Sequence, residues 1–75
     1  MIKGNVVYVA SVDRYVIYGN YGDEVELHCG YGLDVLVNGE WVHTRIEMDG
    51  KNEYYLVGCP VTLDDVVRYG LPVRR

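Results

Sequence analysis

The sequence predicts a mainly β fold, a small single-domain antiparallel barrel of five or six strands with one short helical turn near the carboxyl end. The chain of 75 residues has room for one hydrophobic core, so residues 1–75 form one predicted domain. Its aromatic residues are eight Tyr and one Trp with no Phe, and valine is abundant, which favours pleated sheet. Turn signals recur about every eight to twelve residues, a spacing typical of small sandwiches and barrels.

The amino-terminal half predicts four strands. Strands near residues 5–9 and 14–18 flank a turn with the sequence ASVD, and the loop GNYGDE follows them. Gly19 and Gly22 in this loop are able to take positive φ at little cost, as tight turns require. Short strands are then predicted at residues 25–28 and 33–37.

The dipeptide Asn38-Gly39 lies between alternating runs and predicts a β-hairpin, because a type I′ turn requires positive φ at both central residues. A two-residue turn fixes the register of the flanking strands. The side of this hairpin that carries Val35 and Val42 is the predicted core face, and Ile46 continues it. The predicted cross-strand pairs are Val37 with Glu40, Leu36 with Trp41, Val35 with Val42, and Asp34 with His43.

A second hairpin turns through MDGKN, and its loop length is ambiguous from the sequence. A loop of two or four residues directs Tyr55 and Val57 inward beside Ile46, whereas a loop of three directs Tyr54 and Leu56 inward. We favour Tyr55 and Val57.

The carboxyl-terminal segment changes its hydrophobic period and predicts one or two helical turns, followed by a short strand near residues 71–74. Thr62 is the predicted N-cap, and Gly70 and Pro72 end the helix. The expected architecture is a partly open barrel of the Src-homology-3 type, and a cold-shock-like barrel or a small β-roll is the alternative.

The formal charge of −4 and the pI near 4.9 disfavour binding to duplex nucleic acid or anionic lipid. No apolar run reaches the roughly 20 residues of a membrane helix, and the amino end lacks a signal-peptide pattern, so a cytoplasmic location is expected. Cys29 and Cys59 are accordingly expected to be reduced thiols. No cofactor is expected.

The sharpest cluster of functional residues is a polar and aromatic stripe on one predicted strand. Trp41, His43, Arg45 and Glu47 occupy every second position, and side chains at that spacing share one face of a sheet. With Tyr54 they form a candidate binding face, in which Trp41 offers the flat anchor typical of interface hot spots. The stripe is alternatively the outer wall of a small barrel, with Trp41 packed over a second small core.

Catalytic and metal sites are weaker interpretations. His43 opposite Asp34 has the form of a general base held by a carboxylate, yet no nucleophile is positioned with it, so no catalytic residue is assigned. Residues His28, Cys29, His43 and Cys59 are enough in number for zinc, but their spacing differs from that of known structural sites. No metal ligand is assigned either, and the chain is not expected to be an enzyme.

Two further surfaces predict other functions. A candidate acidic patch, which would imitate phosphates in an inhibitor of a nucleic-acid enzyme, consists of Asp23, Glu24, Glu26, Asp64 and Asp65. A basic and aromatic strip for single-stranded nucleic acid would form if the chain ends converge, from Arg14, Arg68, Arg74, Arg75, Tyr8, Tyr15 and Tyr69. The net charge makes nucleic acid the less favoured partner.

The run GEWVHTRIEMDGKNEYYLVG, preceded by LHCGYGLDVLVNG, resembles a family of short uncharacterised bacterial proteins common on mobile elements of Gram-positive bacteria. The resemblance extends over residues 4–73. The family pattern has Trp as the first residue of the aromatic pair before LVG, where this chain has Tyr54. The residues that carry the resemblance are Trp41, Thr44, Arg45, Ile46, Glu47, Tyr55, Leu56 and Gly58.

The resemblance implies a cytoplasmic accessory protein of a plasmid, phage or conjugative element, and it implies no activity, cofactor or catalytic residue. Together with the absence of a catalytic cluster, it favours a non-catalytic module that binds another protein. The oligomeric state is not predicted by any feature of the sequence.

Overall fold

The computed structural model describes all 75 residues and contains one seven-stranded antiparallel sheet with one short helix. The strand order is β3-β2-β1-β7-β4-β5-β6, so β3 and β6 are the two edges. The elements are β1 Lys3–Val9, β2 Arg14–Gly19, β3 Glu24–Leu27, β4 Gly32–Val37, β5 Glu40–Met48, β6 Tyr54–Leu56, α1 Leu63–Arg68 and β7 Val73–Arg74.

The mainly β class and the carboxyl-terminal helix are confirmed, but the prediction of a barrel with five or six strands is wrong. The sheet has seven strands, and no backbone ladder joins its edges β3 and β6. Side chains bridge the open side instead: the ring centroids of Tyr15 and Tyr54 lie 5.7 Å apart, and Arg14 Nη1 donates to Tyr54 Oη at 2.7 Å. Side chains of this size hold the backbones further apart than the roughly 4.8 Å of paired strands.

The hairpin between β4 and β5 forms as predicted. Asn38 and Gly39 have φ of 51° and 80°, the positive values that a type I′ turn needs. All four predicted cross-strand pairs occur, including Val35 with Val42 and Asp34 with His43. Val35 and Ile46 are fully buried, which confirms the assignment of the core face.

The favoured register of the second hairpin is wrong. Its loop has five residues, 49–53, and Ile46 pairs with Leu56 while Glu47 pairs with Tyr55. Leu56 and Tyr54 therefore face the core, and Tyr55 faces away from it. The odd loop length is stabilised locally, because the Asp49 carboxylate accepts hydrogen bonds from the backbone N–H groups of residues 51 and 53.

The core lies on one face of the sheet, which we call the inner face, and helix α1 packs against it. Thr62 caps the helix: its hydroxyl accepts from the Asp65 N–H, and the Asp65 carboxylate accepts from the Thr62 N–H. The helix buries Leu63 and Val66. The buried cluster consists of Val6, Ile17, Leu27, Leu33, Val35, Ile46, Leu56, Leu63, Val66 and Val73.

The short strand β7 joins the two halves of the sheet. Its residues Val73 and Arg74 pair with β1 on one side and with β4 on the other. The chain ends meet here, because Ile2 and Arg75 exchange backbone hydrogen bonds of 2.7 and 2.8 Å. This junction sets the position of Arg74 beside β4, on the opposite, outer face of the sheet.

The outer face is covered by no helix. Helix α1 is on the inner face, and the outward side chains of β5 are exposed or only half-buried. The structure contains no helix with the length and hydropathy needed to cross a membrane.

Candidate functional site

The polar and aromatic stripe of β5 lies on the outer face, as its spacing predicts. Trp41, His43 and Arg45 are exposed and Glu47 is half-buried, whereas on the other side of the strand Thr44 and Ile46 are buried and Val42 is half-buried. The buried Thr44 hydroxyl donates a hydrogen bond to the Val57 carbonyl at 2.7 Å. The alternation thus separates a core side and a solvent side along one strand.

Asp34 of β4 connects the stripe to β7. Its Oδ2 accepts a hydrogen bond from Arg74 Nε at 2.8 Å, and its Oδ1 lies 2.8 Å from His43 Nδ1. The hydrogen bond from Arg74, followed by the bond from His43, holds the pKa of Asp34 below its ordinary value. The carboxylate is therefore ionised and fixed between two basic side chains.

Arg74 also orders the indole of Trp41. Its guanidinium carbon lies 4.2 Å from the centre of the Trp41 ring, within the range of a cation–π contact. Trp41 keeps 36% of its surface exposed. Trp41 is thus neither sealed under the helix nor free to rotate, because one of its faces is occupied by a side chain that Asp34 holds.

The remaining outward residues complete the surface. Arg45 Nε donates to Glu47 Oε2 at 2.8 Å along the strand. Tyr55, which pairs with Glu47 across the sheet, is 45% exposed. We name this surface the Trp41 face, and its residues are Asp34, Trp41, His43, Arg45, Glu47, Tyr55 and Arg74.

The inclusion of Tyr54 in the candidate binding face is wrong. Tyr54 pairs with Met48 and lies on the inner side of β6, where it packs against the core and against Tyr15. The five-residue loop places Tyr54 on the inner side and Tyr55 on the outer side, which is the reverse of the favoured prediction. Arg74, which the sequence alone does not place beside Trp41, is a residue of the face that only the pairing of β7 with β4 reveals.

Because Asp34 titrates with a lowered pKa, it contributes stability that depends on pH. The unfolded state binds the proton more tightly, so the contribution is present above the ordinary pKa of 3.8 and is lost as pH falls through the folded pKa. We expect Asp34→Asn to cost about 1 kcal/mol at neutral pH, the size of a partly exposed ion-pair network. Urea denaturation of both proteins measures it, and an equal cost well below pH 3.8 would contradict this assignment.

The candidate acidic patch does not form one surface. Glu24 and Glu26 project from β3 on the side opposite to Val25 and Leu27, and Leu27 is part of the core. Asp64 and Asp65 belong to helix α1 on the inner face, where the Asp65 carboxylate accepts from the Thr62 N–H and Asp64 lies 3.9 Å from Arg68. Asp23 precedes β3. Four of the five carboxylates therefore divide between the two sides of the sheet.

The basic strip is also divided, although the chain ends converge as that interpretation requires. Arg14 bonds to Tyr54 on the open side, and Arg74 bonds to Asp34 on the outer face. Arg68 lies on the helix beside Asp64, and the guanidinium of Arg75 stacks over Tyr31. No continuous basic and aromatic track connects these residues.

The histidines and cysteines do not assemble into a site. His43 contacts Asp34, and His28 lies 3.8 Å from Glu26. Cys29 is exposed, Cys59 is half-buried, and both are free thiols. No three His, Cys, Asp or Glu side chains are close enough together to hold a metal ion.

A groove on the open side of the sheet was not predicted from the sequence. Tyr15 and Tyr54 form a ridge, and a hollow of about 310 Å³ and another of about 320 Å³ lie on either side of it. Tyr8 continues the row, with its ring centroid 5.1 Å from that of Tyr15. We name this surface the tyrosine groove. The only sequence signal for it was the number of tyrosines, because the groove depends on the loop length that places Tyr54 inward.

Carboxylates border the tyrosine groove on both sides of the ridge. Asp64 lines the first hollow, and Asp13 and Glu53 line the second. Burial, followed by the charges of Asp64 and Asp13, raises the pKa of Tyr15. The hydrogen bond that Tyr8 donates to Asp13 raises the pKa of Tyr8. Both shifts reflect the carboxylates near the phenols, and these carboxylates give the border of the groove its negative charge.

Comparison with known proteins identifies a family and one solved structure. A family model described as a domain of unknown function, DUF5348, matches residues 4–75. The crystal structure of a protein from Ruminococcus gnavus is similar, with 36% sequence identity and a TM-score of 0.80. The similarity covers 97% of this chain and 99% of the Ruminococcus gnavus chain. A search of curated proteins found no match.

Proposed function

We propose that this chain, which belongs to the DUF5348 family of domains of unknown function, is a non-catalytic module that binds another protein through its Trp41 face. The observation that carries the proposal is the exposed indole of Trp41, held in place by Arg74 and Asp34. An aromatic anchor that is already ordered loses little side-chain entropy when a partner covers it. This supports a docking surface more than a catalytic one.

The composition of the Trp41 face supports a protein partner. Tryptophan, tyrosine and arginine are the residues most enriched at the energetic centres of protein interfaces, and all three occur here. The charges of the face are paired internally, since Asp34 binds Arg74 and His43, and Arg45 binds Glu47. A surface with paired charges suits a polar protein rather than a polyanion. The resemblance described above supports a setting on a mobile element of a Gram-positive bacterium.

The two alternative functions receive less support. A phosphate-imitating inhibitor requires its carboxylates on one surface, whereas Glu24 and Asp64 lie on opposite sides of the sheet. Binding of single-stranded nucleic acid requires a continuous basic track, and Arg14 and Arg74 lie on different surfaces. A steep fall of affinity with salt would be needed to favour nucleic acid.

The test is Trp41→Ala in an affinity-capture experiment with a lysate of a bacterium that encodes a member of this family. We expect a protein retained by the wild-type domain to be lost with Trp41→Ala, by at least about tenfold in affinity, because hot-spot aromatics contribute about 2 kcal/mol or more. The domain itself should remain folded with a loss of about 1–2 kcal/mol, since only the cation–π contact and partial burial are removed.

Tyr18→Ala is the matched control, because Tyr18 is an exposed aromatic residue on the outer side of β2, away from the Trp41 face. Capture should survive this change. Equal retention by wild type and Trp41→Ala would contradict the proposal. Loss of several kcal/mol of stability in Trp41→Ala would instead assign Trp41 a structural role.

A further inference from the structure

We propose that the tyrosine groove is a second binding site, which takes an extended, proline-rich peptide segment that carries arginine. The groove lies on the open side of the sheet and adjoins the Trp41 face at Tyr55, which lines the first hollow, but it shares no other residue with that face. The inference rests on the row of tyrosine rings, on the two hollows beside it and on the carboxylates that border these hollows.

The shape of the groove suits an extended chain. Tyr15 and Tyr54 line both hollows, so a ligand that fills both must cross the ridge between them. The rings of this ridge meet edge to face at 82°. A flat or compact small molecule would occupy one hollow only, whereas a peptide spans both with successive side chains.

The two hollows differ in chemistry. The first is mainly apolar, with Leu56, Val61 and Leu63 among its lining residues. The second is polar and is lined by Asp13, Asn52 and Glu53. A ligand that complements both presents an apolar residue to the first hollow and a cation to the second.

The charge around the ridge selects a basic ligand. Arg14, the cation at the ridge, already donates to the Tyr54 hydroxyl, and it lines neither hollow. The Asp13 carboxylate accepts a hydrogen bond from the Tyr8 hydroxyl. This bond orders the carboxylate and leaves its negative charge in place. The net charge of −4 adds attraction for a cationic segment at long range.

Proline is the apolar residue that fits best. A polyproline II segment is already extended and loses little entropy on binding, and aromatic-lined grooves recognise it in several unrelated domains. Its backbone carbonyl groups accept hydrogen bonds, and the Tyr15 hydroxyl, which like any phenol is protonated at neutral pH, can donate to one of them, whereas the Tyr8 hydroxyl already donates to Asp13. Arginine supplies the cation and also stacks on tyrosine rings.

The test is a nuclear magnetic resonance titration with two synthetic peptides, one of repeated Pro-Pro-Arg and one of repeated Pro-Pro-Glu. We expect the arginine peptide to shift the ring signals of Tyr8, Tyr15 and Tyr54 in a saturable manner. The glutamate peptide should bind at least about tenfold more weakly, because it replaces attraction by repulsion. The fluorescence of Trp41, the one tryptophan of the chain, should not change.

A double variant that removes two negative charges, Asp13→Asn with Glu53→Gln, should weaken binding of the arginine peptide by roughly tenfold, the effect of removing two exposed ion pairs. Asparagine is suitable at position 13 because that residue has φ of 49°. The matched control, Glu24→Gln with Glu26→Gln, makes the same charge change on the outer side of β3 and should bind as wild type does.

The site would be overturned by the absence of any shift of the tyrosine rings with the arginine peptide, by equal binding of both peptides, or by equal weakening by the two double variants. Shifts centred on Trp41 would also overturn it, since they would move the peptide to the outer face. Neither retention nor loss of capture with Trp41→Ala changes the peptide titration, which is read at the rings of Tyr8, Tyr15 and Tyr54, so the two proposals fail independently.

Discussion

Replacing Val73 by aspartate is expected to unfold the protein at temperatures where the wild type is folded. Val73 is fully buried, and it pairs with Gly4 of β1 and Val35 of β4 at the junction of the two half-sheets. An unpaired buried carboxylate costs more than about 4 kcal/mol. A domain of this length has about 4–11 kcal/mol of stability in total. Thermal denaturation followed by circular dichroism measures the loss.

Val12→Asp is the control for Val73→Asp, because Val12 lies in the turn after β1 and is 51% exposed. This change should alter the free energy of unfolding by less than about 0.5 kcal/mol. If Val73→Asp melted within a few degrees of Val12→Asp, the role of β7 as the buried junction of the sheet would be wrong.

Gly4→Ala is expected to destabilise the domain by about 3 kcal/mol or more, at the upper end of the cost of overpacking. A Cβ atom on Gly4 would overlap the carbonyl oxygen of Tyr18 and would lie 2.8 Å from the Cα atom of Gly19. Both obstacles are backbone atoms of β2, so no rotation of a side chain relieves the overlap. The strands β1 and β2 would have to separate where β7 also pairs.

Gly50→Ala is the matched control for Gly4→Ala. A Cβ atom at Gly50 would meet no atom within 4 Å, and Gly50 lies in the exposed loop between β5 and β6. Its substitution should change stability by less than about 1 kcal/mol in either direction. Chemical denaturation of both variants gives the comparison, and equal midpoints would refute the close approach of β1 to β2.

The parts of the fold that were predicted correctly follow from local chemistry. Asn38-Gly39 encodes its own turn geometry, and the turn then fixes the register of β4 and β5 without information from the rest of the chain. Thr62 and Asp65 cap the helix through a contact over three residues. The outward position of Trp41 follows from these local rules.

The parts that were not predicted depend on long-range pairing or on a loop with several solutions. The five-residue loop 49–53 is selected by the Asp49 carboxylate and by positive φ at Asn52, and this choice decides whether Tyr54 or Tyr55 faces inward. The open sheet depends on side chains of β2 and β6 that are distant in sequence. The tyrosine groove was not predicted for the same reason. The favoured loop length placed Tyr54, which forms half of the ridge, on the outer side of the sheet.

The Trp41 face shows how a locally predicted surface is completed by a distant strand. Alternation along β5 places Trp41 and His43 together, and the hairpin adds Asp34. Arg74 is 40 residues from Asp34 in sequence, and only the insertion of β7 beside β4 brings its guanidinium to the carboxylate and the indole. The orientation of the Trp41 indole therefore depends on the pairing of β7 with β4 as well as on the hairpin of β4 and β5.

Site-specific photo-crosslinking tests the central claim, that a protein docks on the Trp41 face, most directly. A photoreactive residue in place of His43, whose side chain is 78% exposed, should crosslink to a discrete protein partner in the bacterial lysate. The same residue in place of Val12, in the turn between β1 and β2, should give no such product. Crosslinking at neither position, or equally at both, would contradict docking on this face.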